Sequence, residues 1–218
     1  MRLAIIITIY NRLHLALRLI DKLHDQLEKE GKLDRAQVIC INDGSTEELV
    51  FEKPIEEVCK EYGFEYYKQK NGGEANARNA GLDKVKTEYF TYADCDDDIT
   101  DDYVKNVFSE LGDNEHLIAF KWVFKDTGAI CDWHDRPLVN WNVWSYLFRT
   151  DYFKQFRFDE TMIVASDYDY IKRAVEAKPD IYIRYAPNKT TIIYNANNPQ
   201  NLTNKFGRGE VKAKKGEK

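Results

Sequence analysis

Residues Leu3–Ile9, LAIIITI, form an almost unbroken apolar run rich in β-branched side chains. A run of that kind suits a strand covered on both faces, which in a soluble chain places it inside a parallel sheet. After Asn11 and Arg12, apolar residues return at Leu13, Leu17, Ile20, Leu23 and Leu27 with helical spacing until Gly31, which can close the helix. The pattern then repeats. Ala36–Ile41 reads as strand, Glu47–Tyr62 as helix, Phe64–Lys68 as strand, Ala75–Val85 as helix and Thr87–Ala93 as strand. Strands alternating with helices imply right-handed crossovers and a parallel sheet through the first half of the chain.

The second half reads differently. His116–Phe124 has a strand pattern, Asp126–Leu138 is turn-rich, and Asn140–Phe156 is dense in aromatics with a short helix expected inside it. Asp167–Ala177 reads as helix, followed by two strands near Ile181–Tyr185 and Thr190–Tyr194, expected to be antiparallel. From Lys205 onward the chain holds six basic and two acidic residues, a charge of +4 that leaves −9 for the rest of a chain with net charge −5. This segment, 205–218, is expected to be a flexible solvated tail, with a membrane-surface or partner contact as the alternative.

With 218 residues and 43% hydrophobic content, one domain can bury roughly 70% of its unfolded surface without disulfides or metal staples. The acidic balance argues against a general attraction for nucleic acid. Cys40, Cys59, Cys95 and Cys131 are widely spaced and are expected to be reduced structural thiols. No stretch approaches the ~20 apolar residues of a membrane span, and Met1–Tyr10 shows no small-residue cleavage site. The expected location is therefore cytoplasmic, with at most a peripheral membrane contact through the basic tail.

In an open parallel sheet, ligands bind outside the carboxyl ends of the strands. Here those ends carry Thr8-Ile9-Tyr10-Asn11, Asn42-Asp43-Gly44-Ser45-Thr46, and Asp94-Cys95-Asp96-Asp97-Asp98. Turn chemistry alone accounts for the second cluster taken singly. The third is harder to explain that way: four aspartates in five residues repel one another unless cations or donors compensate, and hard carboxylate oxygens suit Mg²⁺ or Mn²⁺. A solvated acidic loop capping the next helix is the alternative. An EF-hand starting at Asp94 fails, because its sixth and twelfth positions are Ile99 and Lys105 rather than Gly and Glu. A DxDxT phosphatase signature can be drawn through Asp96, Asp98 and Thr100, with a carboxylate as nucleophile.

Asn71–Gly81, NGGEANARNAG, places glycines ahead of a helix, where backbone N–H groups can approach an anion, and Arg78 inside it. Neither GxGxxG nor GxxxxGK[ST] occurs, which disfavours a dinucleotide cofactor and a P-loop. Asp167 follows Ser166, a good N-cap, at the start of a helix anchored by Tyr170, Ile171, Ala174 and Val175. A helix N-terminus favours an ionised carboxylate, as a base requires, although a dipole complement has the same signature and Asp169 fits that role.

Taken in order, these segments resemble the family 2 glycosyltransferases of the GT-A fold. Thr8-Ile9-Tyr10-Asn11 is similar to the family's PTYN segment, Asn42–Thr46 to DDGST, Asn71 with Ala77–Gly81 to N…ARNxG, Asp94–Asp97 to DxDD, and Phe158-Asp159-Glu160 with Ser166-Asp167 to FDE…ED. The resemblance implies an α/β GT-A domain over residues 1–204, Rossmann-like with a mostly parallel sheet and a small antiparallel C-terminal part. Residues 1–112 would form the donor half and 113–204 the acceptor half. It further implies a metal-dependent, inverting transfer of one sugar from a nucleotide sugar, a UDP-sugar, to a hydroxyl acceptor such as a glycan or lipid-linked sugar. By the same resemblance Thr8, Tyr10, Asn11, Asp43, Asn71, Arg78, Asp94 and Cys95 would hold the nucleotide and donor. Asp96, with Asp94, would ligate Mn²⁺ or Mg²⁺, and Asp167 would be the general base.

The sequence also departs from the family pattern. Asn42 replaces the first aspartate of DDGST, Thr8 the proline of PTYN and Ser166 the glutamate of ED, while Asn195 and Asn197 stand where YRxHxxS has Arg and His. His134 is one candidate to make up for that histidine, and a surface histidine is the alternative. Trp133, Trp141 and Trp144 can stack on sugars or fill the core, with core expected for at least two. The absence of QxxRW argues against a processive synthase. The remaining rivals are the DxDxT phosphatase and a catalytically silent nucleotide-binding protein.

Overall fold

The computed structural model describes residues 1–46, 53–131 and 142–216. Strand β1 (Leu3–Ile9) runs through the interior, with every residue but Thr8 buried. It pairs in parallel with β2 (Ala36–Asn42) on one side, Ile5 opposite Val38, and with β4 (Tyr89–Asp94) on the other, Ile5 opposite Thr91. Strand β3 (Glu65–Lys68) extends the parallel set beyond β2. Helix α1 (Leu13–Lys29) buries Leu13, Ile20, Leu23 and Leu27 of the expected stripe together with Ala16 and Leu19, while Leu17 is only partly buried. Helix α2 (Ile55–Tyr62) ends at Gly63, whose φ of 71° closes it in the left-handed region. The first part of the helix expected over Glu47–Tyr62 falls on residues 47–52, outside the described residues. Helix α3 (Glu74–Lys84) lies so close to the sheet that a Cβ on Gly81 would run into Ile6 Cγ2.

After β4 the chain forms β5 (Asp98–Ile99), α4 (Tyr103–Ser109), β6 (Leu117–Phe124) and β7 (Ile130–Cys131). A 3-10 turn at Val143–Ser145 leads into β8 (Tyr146–Arg149), α5 (Thr150–Phe153), α6 (Ser166–Glu176), β9 (Ile183–Tyr194) and α7 (Leu202–Gly207). Counted among the described residues, a single nine-stranded sheet runs β3-β2-β1-β4-β8-β6-β9-β5, with β7 on β6. β8 joins the two halves antiparallel to β4 and to β6; along that seam Phe90 stacks on Phe148, and Phe153 meets Phe148 edge to face.

Two sequence expectations are corrected here. The aromatic segment expected to hold a short helix also contributes β8, because Tyr146, Leu147 and Phe148 are buried between β4 and β6. The pair of antiparallel strands expected over 181–194 is one strand, β9, parallel to β6 and antiparallel to β5. Its register on β6 jumps between the Ala119–Tyr185 and Lys121–Thr190 pairs, and that irregularity makes one strand read as two. Trp144 is buried against Trp122 with ring centroids 5.2 Å apart, whereas Trp133 and Trp141 lie outside the described residues. The described cysteines are free thiols. Among the described residues, no helix is long and apolar enough to cross a membrane.

Candidate functional site

The carboxyl ends of β1, β2 and β4 open onto one cavity of about 910 Å³. Thr8, Tyr10, Asn11, Asp43, Asn71, Arg78, Asp94, Cys95, Asp96 and Asp167 are all among its lining residues. The structure therefore gathers all ten sequence-predicted residues around a single space. Asp94 and Asp96 arrive from the end of β4, whereas Asp167 arrives from the first turn of α6.

Arg78 holds these walls together. Its guanidinium donates to Asp94 at 3.2 Å, to Glu74 at 2.5 Å and to Asp167, while the residue is only 1% exposed. A buried guanidinium with three carboxylate partners is satisfied in charge, and removing it would strand all three. The residue that the resemblance assigns to the nucleotide is thus engaged by three protein carboxylates in this structure. Asp167 also accepts from the Val143 N–H at 3.3 Å. Ser166, expected to be the N-cap, is instead the first helical residue, and Ala165 occupies the cap with φ 60°. The Ser166 hydroxyl makes only a long contact to Asp167, 3.4 Å.

Asp43 is likewise occupied. It accepts from the N–H groups of Gly72 and Gly73, both at 2.9 Å, and from Gln69 Nε2 at 2.8 Å. The anion held by the glycine turn is thus a protein carboxylate, and it fixes the start of α3 to the end of β2. Asn11 and Arg12 both adopt positive φ, 54°, a conformation uncommon for residues with a Cβ. That kink turns the Arg12 guanidinium to Asp96 at 2.5 Å and to the Gln200 carbonyl at 2.9 Å. Asn198 Nδ2 donates to the same Asp96 oxygen at 3.0 Å.

The cavity is rich in negative charge. Burial lifts Asp94 to about 6, with Arg78 opposing the rise and Asp167 and Asp96 adding to it. Burial also raises Glu74 to about 7, Arg78 again pulling it down and Asp94 pushing it up. Asp97 is held well above the ordinary carboxylate range by burial, although the Asn195 N–H donates to it at 2.8 Å. Among the described residues, no three His, Cys, Asp or Glu side chains form a ready metal cage. A small divalent ion is commonly held by one or two carboxylates together with substrate phosphates. Asp94 and Asp96 present such hard oxygens to the cavity, so the donor set fits Mg²⁺ or Mn²⁺.

Other expectations resolve by position. Asp98 turns away to Lys22, 3.3 Å, and Arg18, 3.9 Å, on α1, so it does not share the cavity with Asp96 as a DxDxT phosphatase requires. His134 lies outside the described residues. Asn197 bonds Asp126 at 2.7 Å rather than facing the site. Sequence reading missed Arg12, Glu74 and Asn198 as site residues. Arg12 immediately follows the Tyr10-Asn11 segment and Glu74 sits one turn before Arg78, two signals that adjacency offered. Asn198 had none.

Comparisons with known proteins agree with this architecture. The sequence model of the family described as "Glycosyl transferase family 2" matches residues 4–178. Glycosyltransferase GlyA of Streptococcus pneumoniae serotype 4 is 28% identical over 123 residues, 54% of this chain and 16% of that protein. Among solved structures, residues 1–349 of S. aureus TarS in complex with UDP-GlcNAc superpose with a TM-score of 0.74 at 16% identity, over 93% of this chain and 61% of that one. The mannosyltransferase PcManGT from Pyrobaculum calidifontis, in complex with GDP-Man and Mn²⁺, gives 0.62 at 15% identity, over 97% and 65%. The fold is the GT-A arrangement, and the chain spans only part of each of these relatives.

Proposed function

The chain belongs to glycosyl transferase family 2, and from that premise we propose that it transfers one sugar from a UDP-sugar to an acceptor hydroxyl with inversion of configuration. The observation that carries this reading is that one cavity has Asp94 and Asp96 on one wall and Asp167 on another, with Arg78 bonded to both Asp94 and Asp167. The UDP-GlcNAc complex of TarS supports UDP as the nucleotide.

In this mechanism Tyr10, half exposed on the cavity wall, stacks on the base. Asp94 and Asp96 would hold Mn²⁺ or Mg²⁺, an ion that neutralises charge developing on the departing diphosphate. Asp167 takes the proton of the acceptor hydroxyl as its oxygen bonds to the anomeric carbon. The bond from that carbon to the diphosphate breaks on the opposite face, and its electron pair leaves with the nucleoside diphosphate. A single displacement inverts the centre. Arg78 orients Asp167 through the bond it makes to that carboxylate while it also holds Asp94.

Replacement of Asp167 by Asn tests this reading. UDP binding with Mn²⁺ should change little, while UDP release from a UDP-sugar in the presence of acceptor falls about 10²–10⁴-fold. Full turnover in the variant would place the base elsewhere.

A further inference from the structure

The last described residues lie beyond the family-matched span, which ends at residue 178, and although most of them are exposed, backbone hydrogen bonds tie them to the rest of the chain. Met162 and Lys214 form an antiparallel bridge. The Ile163 N–H donates to the Ala213 carbonyl at 2.8 Å, and the Lys215 N–H donates to the Thr161 carbonyl at 2.7 Å. This short ladder fastens the tail to the segment that leads into α6. The Lys215 ammonium then reaches across to the Gly72 carbonyl at 2.7 Å, beside the glycine turn held by Asp43. Lys205, near the end of α7, reaches the same cavity from another side.

Charge gives these two lysines a role. Asp43, Glu74, Asp94, Asp96, Asp97 and Asp167 all line the cavity, and among the described residues its cations apart from the tail are Arg12 and Arg78. Both guanidiniums are already committed, to Asp96 and to Asp94, Glu74 and Asp167. Among the described residues, no carboxylate lies within ion-pair distance of Lys205 or Lys215. A diphosphate entering this space would meet repulsion from these carboxylates, and among the described lining residues the tail lysines are the cations not held in an ion pair.

We propose that Lys215 and Lys205 bind the diphosphate of the nucleotide donor, with Lys215 exchanging the Gly72 carbonyl for a phosphate oxygen. This rests on the reading of the cavity as a nucleotide-sugar site. Calorimetric titration of UDP and of uridine into the full chain with Mg²⁺ present tests it, using Lys215→Gln, Lys205→Gln and, as an exposed tail control, Lys212→Gln. The first two variants should each lose about tenfold in UDP affinity, the effect of one charge-assisted contact, and lose nothing for uridine. Lys212→Gln should match the parent. Unchanged UDP affinity in both cavity variants, or an equal loss for uridine, overturns the role of the tail. A parent chain that binds no UDP overturns the nucleotide reading itself, and the two failures are therefore distinct.

Discussion

In β1, β2 and β4 almost every side chain is buried on both faces, whereas β5, β7 and β8 are two to four residues long, and β5 and β8 draw their burial from neighbours far away in sequence. The first set is a parallel sheet whose charged residues stand where the strands end. The second set turns antiparallel, joins by β8, and delivers its site residues from turns and helix starts. Asp43 and Asp94 are therefore placed by regular structure, and Asp167, Asn198 and Lys215 by the way irregular segments dock on it.

The largest test of this contrast is Arg78→Ala, because Arg78 ties the two regions together through Asp94 and Asp167. Leaving three carboxylates without their guanidinium should destabilise the chain by about 3–5 kcal/mol in denaturant titration. A cost under ~1 kcal/mol would mean that the halves are joined mainly by the Phe90–Phe148 seam.

A smaller effect is expected within the parallel half alone. Gly81→Ala drives a methyl into Ile6 on β1, and should cost about 1–3 kcal/mol by overpacking despite the better helix propensity of Ala. A stabilised variant would show that α3 can shift off the sheet. Since α3 carries Arg78, such a shift would also weaken UDP binding.

The smallest effect concerns pH. Glu74 at about 7 and Asp94 at about 6 have folded values above those of the unfolded chain. Between these values and the unfolded ones the folded state binds more protons, so this contribution to stability is full on the acid side and is lost as pH rises toward about 8. Glu74→Gln should flatten the fall in Tm between about pH 5 and pH 8 by roughly 2 °C in a thermal melt. An unaltered slope would assign the pH response to groups outside the cavity.

Much of the parallel half was legible because its signals are local. The apolar run at Leu3–Ile9, the stripe from Leu13 to Leu27 and the clusters at Asp43 and Asp94 each follow from a few adjacent residues. The β8 strand was hidden, since an aromatic segment such as Tyr146–Phe148 has no period until β4 and β6 cover it. The tail was read from its charge as solvated; most of its described residues are exposed, and what charge did not show is that backbone bonds to Thr161 and Ile163 also bring it to the cavity. Arg12 was passed over because its partner, Asp96, stands 84 residues away.

Hydrophobic periodicity and turn chemistry, read along the chain, determined the alternating strands and helices of the parallel half and put acidic and amide side chains at the strand ends. Such signals arise between near neighbours and survive without the fold. Tertiary structure alone decided that Arg78 would bridge Glu74, Asp94 and Asp167, and that the tail lysines would face the same cavity. Those pairings exist only after distant segments have been closed together and buried, and no local pattern records which segments will meet.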